Sequence, residues 1–270
     1  MWNGTISFGL VTIPVKLFNA VSKKTVSFNQ LDARTMSRIR LKKISAETGE
    51  DVADSDVVKG YEYAKGRYVV VDPDELEPFL PNATRAIELE EFVELSEIDP
   101  VYFDTAYLVA PDKAAKPYAL LARAMEDAGK VAIGRFVMRS KQYVAALRAV
   151  DGRLMLSTMV FADEIVDPST IGELDGLSTV EISERELQMA EMLVEQLSGA
   201  FEPGTYRDTY REQVLALIDK KIAGEDLGLP ETTKAAPQVI DLMAALEASV
   251  QAAKEARSRH PASAAERKSA

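Results

Sequence analysis

Apolar and polar residues alternate from the first positions of the chain. Trp2, Gly4, Ile6, Phe8 and Leu10 stand against Asn3, Thr5, Ser7 and Gly9, the period of two that marks a half-buried strand. After Gly9 the register shifts, and Val11, Ile13, Val15 and Leu17 alternate with Thr12, Pro14 and Lys16. The two runs predict the opening strands of a β-rich domain, with no signal or transit peptide ahead of them. In Ser37 to Ile44, a strand places Arg38, Arg40 and Lys42 on one face and Ile39 and Leu41 on the other. At a rise of ~3.3 Å per residue the cations stand roughly 6.6 Å apart, backed by the core. Residues 84–95 read as a strand with Ile87, Leu89, Glu91 and Val93 on one face, and 102–109 as another. Val131 to Val150 reads as a hairpin turning at Ser140-Lys141. Arg135 and Arg139 share a face of its first strand, and Arg148 lies on the return with Val144 and Ala146. Asp151-Gly152 is a two-residue turn signal before a further strand, Arg153 to Phe161.

Helical signals punctuate and then replace this pattern. Asp72-Pro73-Asp74-Glu75 has a cap residue, proline at the first helical position and an acid three after the cap, so a short helix starts there. Pro117 to Ala128, stopped by Gly129, predicts a helix with Leu120, Leu121, Ala124 and Met125 apolar. From Ile182 onward the period is helical. Ser183 and Glu186 form a capping box ahead of a stripe of Leu187, Ala190, Val194 and Leu197. Pro203 and Gly204 break that helix. The next carries Tyr206, Tyr210, Val214, Leu217 and Ile218, with Lys220 and Lys221 in its last turn before Gly224. Residues 224–237 have linker composition, Val239, Leu242, Leu246 and Val250 stripe a final helix, and 258–270 read as a disordered tail. A helix with an apolar face beyond a linker has either a groove on its own domain or a partner to dock on.

Composition narrows the chemistry. With 270 residues, 47% of them hydrophobic, the chain can bury one large core, or a core plus an appendage. It has no cysteine, which excludes disulfides, thiolate zinc sites and cysteine nucleophiles and fits a reducing, cytoplasmic setting. The one histidine, His260, lies in the polar tail, leaving no inventory for a Ser-His-Asp triad or a multi-histidine metal site. Neither a phosphate loop nor a glycine-rich dinucleotide fingerprint is present. No apolar run approaches the ~18 residues of a membrane span, so a soluble protein is expected.

A net charge of −11 taken alone argues against nucleic acid. The charges are segregated, however. Residues 1–50 hold eight Lys/Arg against three Asp/Glu, and 101–150 hold eight against four; 51–100 hold four against fourteen, and 151–200 two against eleven. Such blocks arise either from chance clustering along solvated loops or from one positive and one negative surface. The cations of 38–42 and of the 131–150 hairpin favour a groove that follows a phosphate backbone. No aromatic is interleaved among them at stacking intervals, and no recognition-helix motif offers sequence readout. Two other classes compete. Asp72, Asp74 and Glu75 could hold a divalent ion in a DNA-processing enzyme, although capping accounts for each. Alternatively, an acidic adaptor could bind only proteins through its last helix.

Motifs spread along roughly residues 1–257 resemble the bacterial Ku family. The opening W-N-G-T-I-S-F-G-L-V-T-I-P-V-K-L-F is similar to that family's first strands, and Ser37 to Lys43 to its basic strand. Asp99-Pro100 with Tyr102-Phe103-Asp104, Tyr107 to Pro111, and Tyr118-Ala119-Leu120-Leu121 resemble its next segments. Ala132 to Phe136 through Ala145 to Arg148 resembles its core hairpin, and Asp163-Glu164-Ile165 the segment after that hairpin. Phe201 to Gln213 and Leu242 to Val250 resemble its C-terminal motifs.

The resemblance implies a β-rich α+β fold. A β-barrel core with bridging strands would close into a ring as a homodimer, followed by C-terminal helices. The implied function is sequence-independent binding of linear duplex DNA ends and recruitment of the ATP-dependent ligase D in non-homologous end joining, with no catalysis and no cofactor. The corresponding plan is a barrel and bridge at 1–180, a helical arm at 181–223, a linker at 224–237, a partner-binding helix at 238–257 and a tail at 258–270. Lys16, Arg34, Arg38, Arg40, Lys42, Lys43, Arg135, Arg139, Lys141 and Arg148 are the candidate phosphate contacts. Val239, Leu242, Leu246 and Val250 are the candidate ligase contacts. Where many relatives carry a zinc element, Ile44 to Glu50 has no cysteine, so no metal is expected. The tail holds only Lys254, Arg257, Arg259, Arg267 and Lys268 as cations, which implies a modest second contact with DNA.

Overall fold

A computed structural model describes residues 2–77, 85–139, 141–224 and 245–252. The linker at 225–237, Val239, Leu242, the tail and Ser140 lie outside the described residues. The chain divides into two compact units, Met1–Asp167 and Pro168–Ala270.

Among the described residues, the first unit is built on nine strands and two α-helices: β1 (Trp2–Phe8), β2 (Val11–Asn19), β3 (Gly60–Ala64), β4 (Arg67–Val70), α1 (Pro73–Leu76), β5 (Ala86–Glu94), β6 (Phe103–Pro111), α2 (Ala115–Ala128), β7 (Lys130–Met138), β8 (Lys141–Val150) and β9 (Arg153–Met159). Seven strands close a barrel in the order β1-β2-β6-β9-β8-β7-β5, and β3 and β4 form a separate ribbon. Closure comes from a parallel pairing, Ile6 opposite Ile87, while the other barrel pairs are antiparallel. A closed barrel leaves no free strand edge.

The alternation at the start of the chain builds the first hairpin. Gly9, at φ +56°, turns the chain so that Phe8 pairs with Val11 and Ile6 with Ile13. Ile6, Ile13, Val15 and Leu17 are fully buried with Ile87, Leu147, Leu154 and Leu156, each worth about 1.5–3 kcal/mol against exposure. Trp2 stands edge-on to Phe136, 5.7 Å between centroids, and its Nε1 donates to the Val137 carbonyl at 3.2 Å. Asp151 and Gly152, both with positive φ, make the two-residue turn between β8 and β9, as their sequence predicts.

Three expectations are corrected. The extra residue in β5 shifts its register between Leu89 and Glu91, and such a bulge reverses the facing of the residues after it. Phe92, opposite the buried Ala132, therefore lies on the same side of the sheet as Ile87 and Leu89, 47% exposed and outside the core cluster, while Glu91 faces the other way. In α2 the buried stripe is Tyr118, Leu121, Ala122 and Met125. Leu120 and Ala124 are not part of it, and with Leu121, Met125, Phe8 and Phe92 they line an apolar groove of about 450 Å³. Tyr118 sets this rotation: its hydroxyl donates to the Val109 carbonyl and accepts the Leu154 N–H, both at 2.8 Å. Finally, residues 37–44 form no strand. Residues 20–59 are held by two isolated bridges, Leu31 to Arg38 and Ile44 to Asp51. Ile39, Leu41 and Ile44 are exposed, so no core backs the cations, because none of the described strands pairs along them.

The second unit contains α3 (Glu184–Leu197), α4 (Thr209–Ile222) and a helix α5 at 245–252. The Ser183 and Glu186 box caps α3, with the Ser183 N–H donating to Glu186 Oε2 at 2.8 Å. Ser183's side-chain and backbone hydrogen bonds hold the Glu186 carboxyl below its ordinary range. The stripe residues Leu187, Val194 and Leu197 are exposed, as are Tyr206, Tyr210 and Leu217. Val250 is buried, Leu246 is half-buried, and Glu247 pairs with Arg185 of α3 at 3.3 Å.

Candidate nucleic-acid interface

The candidate cations fall on two supports. Arg34, Arg38, Arg40, Lys42 and Lys43 lie in the bridge-held segment between β2 and β3, and each is exposed. Folding bends this segment at turns 33–35 and 46–48, and carboxylates near the turns answer several of its cations. Arg34 meets Asp32 at 3.3 Å, Lys42 meets Asp51 at 2.6 Å, and Lys43 meets Asp54 at 2.7 Å. The Arg34 side chain and backbone N–H hold the Asp32 carboxyl below its ordinary range. Among the described residues, Arg38 and Arg40 have no ion-pair partner.

The remaining candidates sit on the barrel. Lys16 of β2 alternates with the buried Val15 and Leu17, and so projects from the outer face, paired with Asp112 at 3.0 Å. Arg135 of β7 is opposite Val144 of β8, which shares its face with Ala146 and Arg148. Arg135 and Arg148 therefore stand on one outer surface, about four residues or roughly 13 Å apart along β8. Glu90, at the β5 bulge, meets Arg135 at 2.6 Å, and its hydrogen bond and charge raise the pKa of that guanidinium. Arg148 is half-buried, its Nη2 4.0 Å from Met155 Sδ, and its Nε has no hydrogen-bond partner among the described residues.

Arg139 is not a strand residue. It occupies the turn before β8 with φ 53°, so its side chain does not share the face of Arg135 and Val137. Lys141 is the first residue of β8, not part of the turn, with its Nζ 5.5 Å from the Tyr143 ring centroid. Both lie at the barrel end that holds Tyr107. Burial raises the Tyr107 pKa, Tyr143 adds to that, and the charge of Arg139 opposes it.

Lys16, Arg34, Lys42, Lys43 and Arg135 are thus ion-paired within reach of solvent. Such pairs contribute little in water, so phosphates can compete for them, and the pairing orders the side chains meanwhile. The Glu75 carboxylate is engaged differently: it accepts the Asp72 backbone N–H at 2.9 Å in the cap of α1. Among the described residues no group of three or more His, Asp or Glu side chains is placed to hold a metal ion. No helix among them is long and apolar enough to cross a membrane.

The closed barrel, interrupted after its second strand by a long segment that carries five of the candidate cations, makes this a β-rich α+β protein. Residues 7–189 match the Ku70/Ku80 beta-barrel domain family. The chain is 47% identical over 264 residues to the "Non-homologous end joining protein Ku" of Anaeromyxobacter sp. (strain K), covering 97% of this chain and 88% of that protein. It is 43% identical over 261 residues to "Non-homologous end joining protein Ku 1" of Saccharopolyspora erythraea (95% and 79%). To the protein of the first name from Heliobacterium modesticaldum it is 37% identical over 255 residues (94% and 92%). The chain belongs to the Ku family.

Proposed function

We propose that this chain binds the ends of double-stranded DNA, without regard to sequence, as a homodimeric ring. In this reading it is a binding protein of non-homologous end joining, not an enzyme. It acts in the cytoplasm, on the nucleoid at breaks, and recruits the ATP-dependent ligase D through its last helix. Family membership and the relatives' names support the end-joining role. The observation that carries the mechanism is the segment between β2 and β3, which combines five candidate cations with apolar side chains that this chain leaves uncovered. Phe28 is 71% exposed, Leu41 90% and Ile44 62%. Apolar exposure on this scale calls for a partner surface. A second copy would cover it while the cations of both copies line one bore. A ring holds duplex through phosphates alone, so it reads no sequence, and it must be threaded, so it selects ends. Negative blocks outside such a bore would repel intact duplex.

The test is binding to linear and covalently closed duplex of one sequence, with the oligomeric state measured by light scattering. Linear DNA should be bound and the closed circle should not. If ~6–10 phosphates are contacted, affinity should fall by about 10³–10⁵ between 50 and 200 mM salt. Equal binding to the two forms would overturn threading.

A further inference from the structure

Residues 51–100 hold fourteen acids and four cations, yet three of those cations, Lys59, Lys65 and Arg67, fall within ten positions of the chain that also contain Tyr61, Tyr63 and Tyr68. These positions form the β3–β4 ribbon, every residue of which is exposed. Tyr61 is opposite Val69 and Ala64 is opposite Arg67, with a register shift at Tyr63 between them. The shift leaves Tyr63 beneath Arg67, whose guanidinium carbon is 5.2 Å from the ring centroid. Glu62, the ribbon's one acid, is tied to the turn, its Oε1 accepting the Gly66 N–H at 2.7 Å. The ribbon thus presents rings 52–68% exposed among cations whose local counter-charge is already engaged.

A ring beside a guanidinium, flanked by further cations, suits single-stranded nucleic acid. The ring stacks on a base while the cations meet the adjoining phosphates. Tyrosine and arginine also suit a subunit contact, but Lys59 and Lys65 fit one less well, because the cores of such interfaces are depleted in lysine. Bases inside a duplex are already stacked and offer no free face, so the ribbon would find its ligand only where bases are unpaired. We infer that the β3–β4 ribbon binds the unpaired nucleotides of a DNA overhang, with Tyr61 and Tyr63 stacking on bases and Lys59, Lys65 and Arg67 holding phosphates. This deepens the end-binding reading and rests on it. It gives a protein that ignores sequence a means of distinguishing tailed ends from blunt ones.

The experiment uses the full chain and two duplexes of equal length. One is blunt, and the other has a tail of about ten nucleotides containing 2-aminopurine. The tailed duplex should bind about fivefold tighter or better, with quenching of the 2-aminopurine by stacking. Tyr63→Leu with Arg67→Gln should abolish both the preference and the quenching, leaving affinity for the blunt duplex unchanged, whereas Tyr63→Phe should retain both. The inference is overturned if the wild type shows no preference or if the double variant keeps it. It is equally overturned if the double variant loses self-association, since the ribbon would then be a subunit contact. Should the wild type bind neither duplex, the end-binding reading fails, and a free single strand of about 20 nucleotides tests the ribbon by itself. Quenching of that strand, lost in the double variant, would support the ribbon site; no binding would overturn it.

Discussion

Glu90 Oε1 lies 2.6 Å from Arg135 Nε, and the extra residue in β5 is what brings them together. Glu88 stands directly across from Arg135 in the ladder, so this guanidinium sits between two acids. A phosphate approaching Arg135 must displace Glu90. Glu90→Gln should therefore strengthen duplex binding and steepen the salt dependence of log affinity by about 0.9, one further phosphate contact. The measurement is a salt titration of both proteins by fluorescence anisotropy. Identical slopes would mean that Arg135 serves the barrel alone.

Charge reversal of the segment between β2 and β3 tests the other cluster. Arg38, Arg40 and Lys42 are exposed and pack against no core, so changing all three to Glu should abolish duplex binding and leave the thermal melting of the barrel unchanged. Single changes to Gln should each reduce the salt slope by about 0.9 without altering sequence preference. Normal binding by the triple variant would place the bore elsewhere.

Much of the barrel can be read from the chain. Period-two alternation locates β1 and β2, and Asp151-Gly152 fixes the β8–β9 turn, because these depend on neighbours in sequence. The bulge at Glu90 depends on how β5 meets β7: Gly134 lies so close to β5 that a Cβ there would collide with the Glu88 carbonyl. Alternation alone cannot reveal that, and it misassigns Phe92 and Glu91. The run at 37–44 shows the converse failure. Its alternation is regular, but a strand needs a partner along its length, and the described residues supply only single bridges at Arg38 and Ile44. The ribbon tyrosines are visible as residues, Tyr61-x-Tyr63 ahead of Arg67-Tyr68. Their pairing with a cation requires the fold.

Tyr118 is a case where one hydroxyl joins three elements. It satisfies the Val109 carbonyl of β6 and the Leu154 N–H of β9 from within α2. Tyr118→Phe leaves both backbone groups buried without that partner, at a cost of about 1–3 kcal/mol. Thermal or urea unfolding should show the loss, while DNA affinity of the folded protein stays the same. A neutral result would mean that water replaces the hydroxyl.

The ligase contact proposed for the last helix can be tested apart from DNA binding. Its stripe is Val239, Leu242, Leu246 and Val250, of which the first two lie outside the described residues. Val250 is 5% exposed, and Glu247 near it pairs with Arg185 of α3, so this end of the helix is already engaged in the unbound chain. If the ligase docks on this helix, it does so through the N-terminal part of the stripe or by competing with α3. Leu242→Asp with Leu246→Asp should lower stimulation of ligation at matched DNA occupancy, because burying carboxylates in an apolar groove costs several kcal/mol. Duplex-end affinity should not change. Val250→Asp should act differently, lowering the melting temperature of the helical unit, since its cost falls on the unbound protein. Truncation after Gly224 should reproduce the loss of ligation and keep end binding. Undiminished ligation by the truncated chain would move the ligase contact off this helix. An unfolded helical unit in the same chain would show instead that α5 serves stability, and the Leu242 and Leu246 changes then decide the question of recruitment.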